Sequence, residues 1–199
     1  MKFKIVSLFV LCAILISCGT SRQGGKKQRK GTKAQVVLTP EQQRKYDYFF
    51  LEASRLKMKD DYSAAFDLLQ HCLTINPNAS SALYEISQYY MYLKQVPQGQ
   101  AALEKAVEND PDNYWYSQGL ASLYQQQNEM QKATNLLESM ATRFSDRMDP
   151  LYSLLDIYNR LEEYDNVITT LNRLEEKMGK NEQLSMEKFR IYLQKKDNQ

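Results

Sequence analysis

Residues 80–113 read SSALYEISQYYMYLKQVPQGQAALEKAVENDPDN, and this stretch decides the fold. Leu83, Ile86 and Tyr90 fall at i, i+3 and i+7, and Leu103, Ala106 and Val107 form a second face of the same kind. Apolar residues at that spacing describe two amphipathic helices in succession. Pro111 follows Pro77 by 34 residues, and the rest of the chain repeats at that period. Tyr62, Val96, Met130 and Tyr164 share one column, and Ala65, Gly99, Ala133 and Val167 another. Leu69, Leu103, Leu137 and Leu171 match without exception. Leu56, Tyr90, Tyr124 and Tyr158 are large, while Ala53, Ser87 and Ala121 are small and Leu155 breaks that column. Four repeats in register, with no insertion, organise the chain.

Composition agrees with an all-helical array. Gly and Pro together number 12 of 199 residues, about half of average usage, too few for the turns of a sandwich or barrel. Three Cys cannot build a disulfide framework. The breaks at Lys59-Asp60-Asp61, Asn76-Pro77, Pro111-Asp112, Asn128-Glu129, Ser145-Asp146 and Gly179-Lys180 predict helices over about 40–59, 62–75, 80–93, 96–109, 114–127, 130–143, 148–161, 164–178 and 182–195. Thr39-Pro40-Glu41 is a helix start, with a hydroxyl cap, Pro in the first turn and an acid at the positive end.

The column pattern resembles the tetratricopeptide repeat (TPR) family over residues 46–195. The resemblance implies an all-α, right-handed TPR superhelix, an α-solenoid of about four helical hairpins plus a C-terminal helix. The TPR domain is expected over 40–199, with repeats at about 46–79, 80–113, 114–147 and 148–181 and a half repeat at 182–195. Small Ala53, Ser87 and Ala121 would let each hairpin close against Ala65, Gly99 and Ala133. Leu155 opposite Val167 should leave the fourth hairpin splayed or differently packed. The tyrosines of the repeat columns (Tyr62, Tyr90, Tyr124, Tyr158, Tyr164) read as packing residues, Cys72 as a buried small residue, and His71 as solvated.

By the same resemblance, the first helix of each repeat lines the concave side. The expected peptide-binding face comprises Phe50, Ser54, Tyr84, Gln88, Met91, Trp115, Gln118, Ser122, Gln125, Tyr152, Asp156 and Asn159, flanked by Asp47, Ser81 and Asp149. Flat aromatics give contact area at low entropy cost, and amides can pair with a peptide main chain. The family's clamp for acidic C-termini needs lysine, asparagine and arginine in columns that here hold Phe50, Ser54, Glu85, Trp115 and Gly119. An acidic C-terminal ligand is therefore not expected. Nucleophile-elbow, Walker, HExxH and CxxC signatures are missing, and His71 is the single histidine. The reading is non-catalytic, with no metal and no cofactor.

The charge is uneven. The first 39 residues carry eight cations and no acid, which leaves 18 bases against all 24 acids, a net −6, over residues 40–199. Lys2 and Lys4 precede an apolar run from Ile5 to Ile16 that is too short to span a bilayer, and the run ends in Leu15-Ile16-Ser17-Cys18. This resembles the lipobox of bacterial lipoproteins, and implies a signal peptide over 1–17, acylation of Cys18 and stable membrane anchoring. Residues 18–39 read as a flexible basic tether, in which Arg22, Lys26, Lys27, Arg29, Lys30 and Lys33 either meet anionic headgroups or form a solvated spacer. Nucleic acid is not an expected partner. The tether has no acids after the cysteine, and the expected location is the periplasmic face of the outer membrane.

The final helix extends the repeat pattern. Phe189 falls 34 residues after Leu155 and Tyr192 34 after Tyr158. Met186, Phe189, Ile191 and Leu193 are expected to leave apolar area without assured cover, so this helix either caps the array, continues into a longer one, or supports self-association. The expected function is a lipid-anchored scaffold binding a protein or peptide, within an outer-membrane assembly or secretion complex. The alternatives are a carbohydrate- or peptidoglycan-binding lipoprotein using Tyr84, Trp115 and Tyr152, and a subunit that recruits an envelope enzyme to the membrane.

Overall fold

The computed structural model describes residues 37–197. The expected signal peptide, the acylated Cys18 and the tether up to residue 36 lie outside the described residues. Within them the chain forms nine helices and no strand. These are α1 (Pro40–Lys57), α2 (Tyr62–Ile75), α3 (Ser80–Tyr92), α4 (Val96–Asn109), α5 (Tyr114–Gln126), α6 (Met130–Arg143), α7 (Asp149–Arg160), α8 (Tyr164–Met178) and α9 (Glu182–Asp197). Each end lies within two residues of its sequence expectation.

The local chemistry accounts for the boundaries. Thr39 Oγ1 accepts from the Gln42 N–H at 3.2 Å while Gln42 Oε1 accepts from the Thr39 N–H at 2.9 Å, a reciprocal cap that starts α1. Inside each hairpin the first helix stops at a residue with positive φ: Asp60 (62°), Lys94 (58°), Asn128 (58°) and Glu162 (56°). These four are spaced 34 apart. The N–H of the next residue then reaches back to the helix: Asp61 to Leu56 O, Gln95 to Tyr90 O, Glu129 to Tyr124 O and Glu163 to Tyr158 O, at 2.8–3.0 Å. One Schellman-type stop thus recurs four times in register. Between hairpins a second turn recurs, with the N–H of Ala79, Asn113 and Arg147 donating to the carbonyls of Asn76, Asp110 and Phe144.

Each helix packs chiefly on its neighbours along the chain, which is how a solenoid buries its core. Leu69, Leu103, Leu137 and Leu171 are all buried, as are Ala65, Ala133 and Val167. The core runs in two clusters, one around Ala53, Leu69, Cys72 and Ile86, the other from Leu103 to Ile191. The fold is an all-α TPR superhelix of four hairpins followed by α9.

Three expectations are corrected in detail. Tyr62 is not packed away; it is about half exposed, and its hydroxyl donates to Asp60 Oδ1 at 2.8 Å. Ile191 is buried, because it points at α8 and not along the open face of α9. The fourth hairpin is looser than the first two, as Leu155 opposite Val167 suggested, but the third is equally loose. The pair Ala121 and Ala133 therefore does not by itself draw α5 and α6 together.

Candidate functional site: the face of the first helices

The first helices of successive repeats are linked by aromatic and polar contacts. Tyr46 Oη lies 2.9 Å from Ser81 Oγ, joining α1 to α3. The rings of Tyr46 and Phe50 lie nearly parallel, 5.9 Å apart and 9° from coplanar. Tyr84 stacks on Tyr116 at 4.9 Å, joining α3 to α5. Gly119 lies beside this pair, where a Cβ would meet the Tyr84 ring at 3.6 Å, an ordinary van der Waals contact. At the edge of the strip Lys57 Nζ pairs with Glu85 Oε2 at 2.7 Å. Burial raises the phenol pKa values of Tyr46, Tyr114 and Tyr116, so all three hydroxyls stay protonated and act as neutral hydrogen-bonding groups.

The expected face residues fall into two groups. Ser54, Gln88, Trp115, Tyr152, Asp156 and Asn159 are exposed, whereas Phe50, Tyr84, Met91, Gln118, Ser122 and Gln125 are half-buried. Several are held by neighbours. Ser54 Oγ donates to Phe50 O at 2.9 Å, Gln88 Nε2 to Ser87 Oγ at 3.2 Å, and Gln118 Oε1 accepts from Tyr114 Oη at 3.1 Å. Tyr152 Oη lies 3.4 Å from Met178 Sδ. Trp115 is 64% exposed and has two neighbours. Its ring meets Tyr114 edge-on at 5.3 Å, and the Arg147 guanidinium lies 5.5 Å from its centroid. Arg147 also sits 3.9 Å from the centroid of Tyr114 and hydrogen-bonds Asp149 Oδ2 at 3.4 Å.

Sequence reasoning missed Tyr46, Tyr116 and Arg147. Tyr116 shares a column with Tyr48, Ala82 and Pro150, a mixed column that carries no signal of its stacking on Tyr84. Arg147 lies in the turn between α6 and α7, where periodicity is silent.

Two grooves lie elsewhere. An open groove of about 780 Å³ is lined by Glu104, Lys105, Leu120, Tyr124 and Lys132, and another of about 210 Å³ by Gln131, Thr134, Glu138, Tyr158 and Glu163. Both lie against second helices and contain none of the expected face residues. They are one repeat apart and share a motif: Tyr124 Oη donates to Glu104 Oε1 at 2.9 Å, and Tyr158 Oη to Glu138 Oε1 at 3.3 Å. Among the described residues no helix is long and apolar enough to cross a membrane.

Residues 80–113 match the family described as Tetratricopeptide repeat. Many solved structures resemble the chain. A crystal structure of MamA protein is 19% identical with a TM-score of 0.57, over 67% of this chain and 73% of that one. A tetratricopeptide repeat protein from Parabacteroides merdae ATCC 43184 is 16% identical with a TM-score of 0.60, over 72% of this chain but only 57% of its own. YrrB, described as a TPR protein with an unusual peptide-binding site, is 13% identical with a TM-score of 0.57, over 74% and 76%. No curated protein matches the chain. The repeat at residues 80–113 matches the tetratricopeptide repeat, and the fold of the described residues is that of tetratricopeptide repeat proteins.

Proposed function

We propose that the protein is a non-catalytic, lipid-anchored TPR scaffold of the bacterial cell envelope, binding a protein or peptide on the face of its first helices. The observation that carries the reading is the held aromatic strip. Phe50, Tyr84 and Trp115 each rest against a ring partner and Tyr152 lies beside Met178, so part of the ordering cost of binding is already met. Ser54, Gln88, Asp156 and Asn159 supply exposed polar groups along the same helices. The net −6 of residues 40–199 favours a basic or neutral partner. The Leu15–Cys18 motif supports the envelope address, with the periplasmic face of the outer membrane and an assembly or secretion complex as its setting.

Sugar stacking by the same aromatics is the weaker reading, since Tyr84 already has one ring face against Tyr116 and Trp115 lies beside Arg147. Chemical crosslinking of intact envelopes, capture of the full chain and mass spectrometry test the proposal. A protein adduct that disappears in Tyr84→Ala and Trp115→Ala is expected. No protein adduct, together with a shift of Trp115 fluorescence by peptidoglycan oligosaccharides, contradicts it. Cys18→Ser is expected to release the chain from the membrane fraction; its retention there would remove the anchor.

A further inference from the structure

α9 has two different faces. On one side Leu184 and Ile191 are buried against α8, and Lys188 Nζ bonds Glu175 Oε2 at 2.8 Å and Asn172 Oδ1 at 3.1 Å. Lys195 pairs with Asp165 on the same side. On the other side Met186 (61%), Phe189 (65%), Tyr192 and Leu193 are exposed. The repeat register explains the contrast. Phe189 stands in the column of Ala53, Ser87, Ala121 and Leu155, and Tyr192 in that of Leu56, Tyr90, Tyr124 and Tyr158. In the four hairpins those columns are covered wholly or in part. Among the described residues, no helix covers them on α9.

The charges along α9 say what fits there. The open stripe runs Glu182, Met186, Phe189, Leu193, Lys196, at spacings of four, three, four and three residues, which is the seam of a two-helix coiled contact. Its N-terminal end is acidic, its centre apolar and its C-terminal end basic. A parallel copy would set acid against acid and base against base. An antiparallel copy sets Glu182 against the second copy's Lys196 and Met186 against its Leu193, with the two Phe189 rings meeting at the centre. The helix dipoles also oppose favourably. The opposite end of the array does not offer the same match, because Glu52 and Arg55 pair across the exposed side of α1 beside Leu51.

We propose that the open face of α9 binds α9 of a second copy of this chain, antiparallel and about a two-fold axis. The contact is isologous, so it closes on a dimer and does not propagate into a fibre.

Cysteine crosslinking of the full chain in its own membrane tests this, and Cys72 does not interfere because it is buried. Phe189→Cys is expected to form a disulfide-linked dimer under mild oxidation. Met186→Cys and Leu193→Cys, co-expressed, are expected to crosslink with each other, and Met186→Cys alone several-fold less. Lys196→Glu should lower the Phe189→Cys dimer yield several-fold, and adding Glu182→Lys should restore it. The proposal is overturned by no dimer, or by equal yield from an Asp67→Cys control. It is equally overturned by a Met186→Cys homodimer exceeding the mixed one, or by a Phe189→Cys adduct to a different protein.

Discussion

Asp60, Lys94, Asn128 and Glu162 each hold a left-handed backbone that an L side chain resists by roughly 1–2 kcal/mol. Glycine has no such resistance but loses more backbone entropy on folding. Lys94→Gly and Glu162→Gly should therefore raise stability by about 1 kcal/mol in urea melts, and Asn128→Gly by less, since asparagine tolerates this region better. Tyr89 is a second case of local conflict. It is buried, its hydroxyl finds no partner among the described residues, and its column elsewhere holds Arg55, Leu123 and Ile157. Tyr89→Phe should be neutral or stabilise by up to about 1 kcal/mol, because it removes an unsatisfied buried group. Cys72 supplies a pH signature. Burial pushes its thiol from 9.0 up to about 11, so the unfolded thiol ionises first. Its contribution is intact below pH 9 and is lost as pH rises from about 9 to 11. Alkaline melting curves should show that loss in the wild type and less of it in Cys72→Ala. The left-handed sites were only half legible beforehand, since the sequence marks two of the turns, as Lys-Asp-Asp and Asn-Glu, while Lys94 and Glu162 are residues that do not favour positive φ.

At the scale of the helix, Gly99 decides how closely α3 and α4 approach. A Cβ there would lie 2.6 Å from Met91 Cε and 3.1 Å from the Ser87 carbonyl. Met91 is flexible and can yield; the backbone cannot yield far. Gly99→Ala should therefore nearly cancel, with the helix-propensity gain of about 1 kcal/mol set against crowding. Gly99→Leu should cost about 3 kcal/mol by overpacking, and thermal melts of the two variants separate the effects. Helix positions were readable to within two residues because apolar period and caps agree at almost every boundary. Hairpin spacing was only half readable. Leu155 against Val167 announces a wide fourth hairpin, but nothing at Ala121 or Ala133 announces the third. Distance along a whole helix pair is set by many contacts, and one small-residue column samples one of them.

For the molecule as a whole, the 34-residue register is the dominant fact, and it was visible from Leu69, Leu103, Leu137 and Leu171 alone. The contacts that tie neighbouring repeats together repeat with it. Asn109 Nδ2 reaches Asn78 O at 3.1 Å, Arg143 reaches Asp112 Oδ1 at 2.7 Å, and Lys177 reaches Ser145 O, so the end of each of these second helices grips the turn before it. What the register could not show is which surface is used, since the first-helix face and the second-helix grooves are equally periodic. The most direct test places a photo-crosslinking amino acid, one site at a time, at Tyr84, Gln118 and Tyr152 on the first helices. Control sites at Lys105 and Gln131 lie in the outer grooves. Illumination of intact cells should give one protein adduct from the first set and none from the second. Adducts from the groove sites alone, or from neither set, would contradict the assignment of the first-helix face as the binding surface.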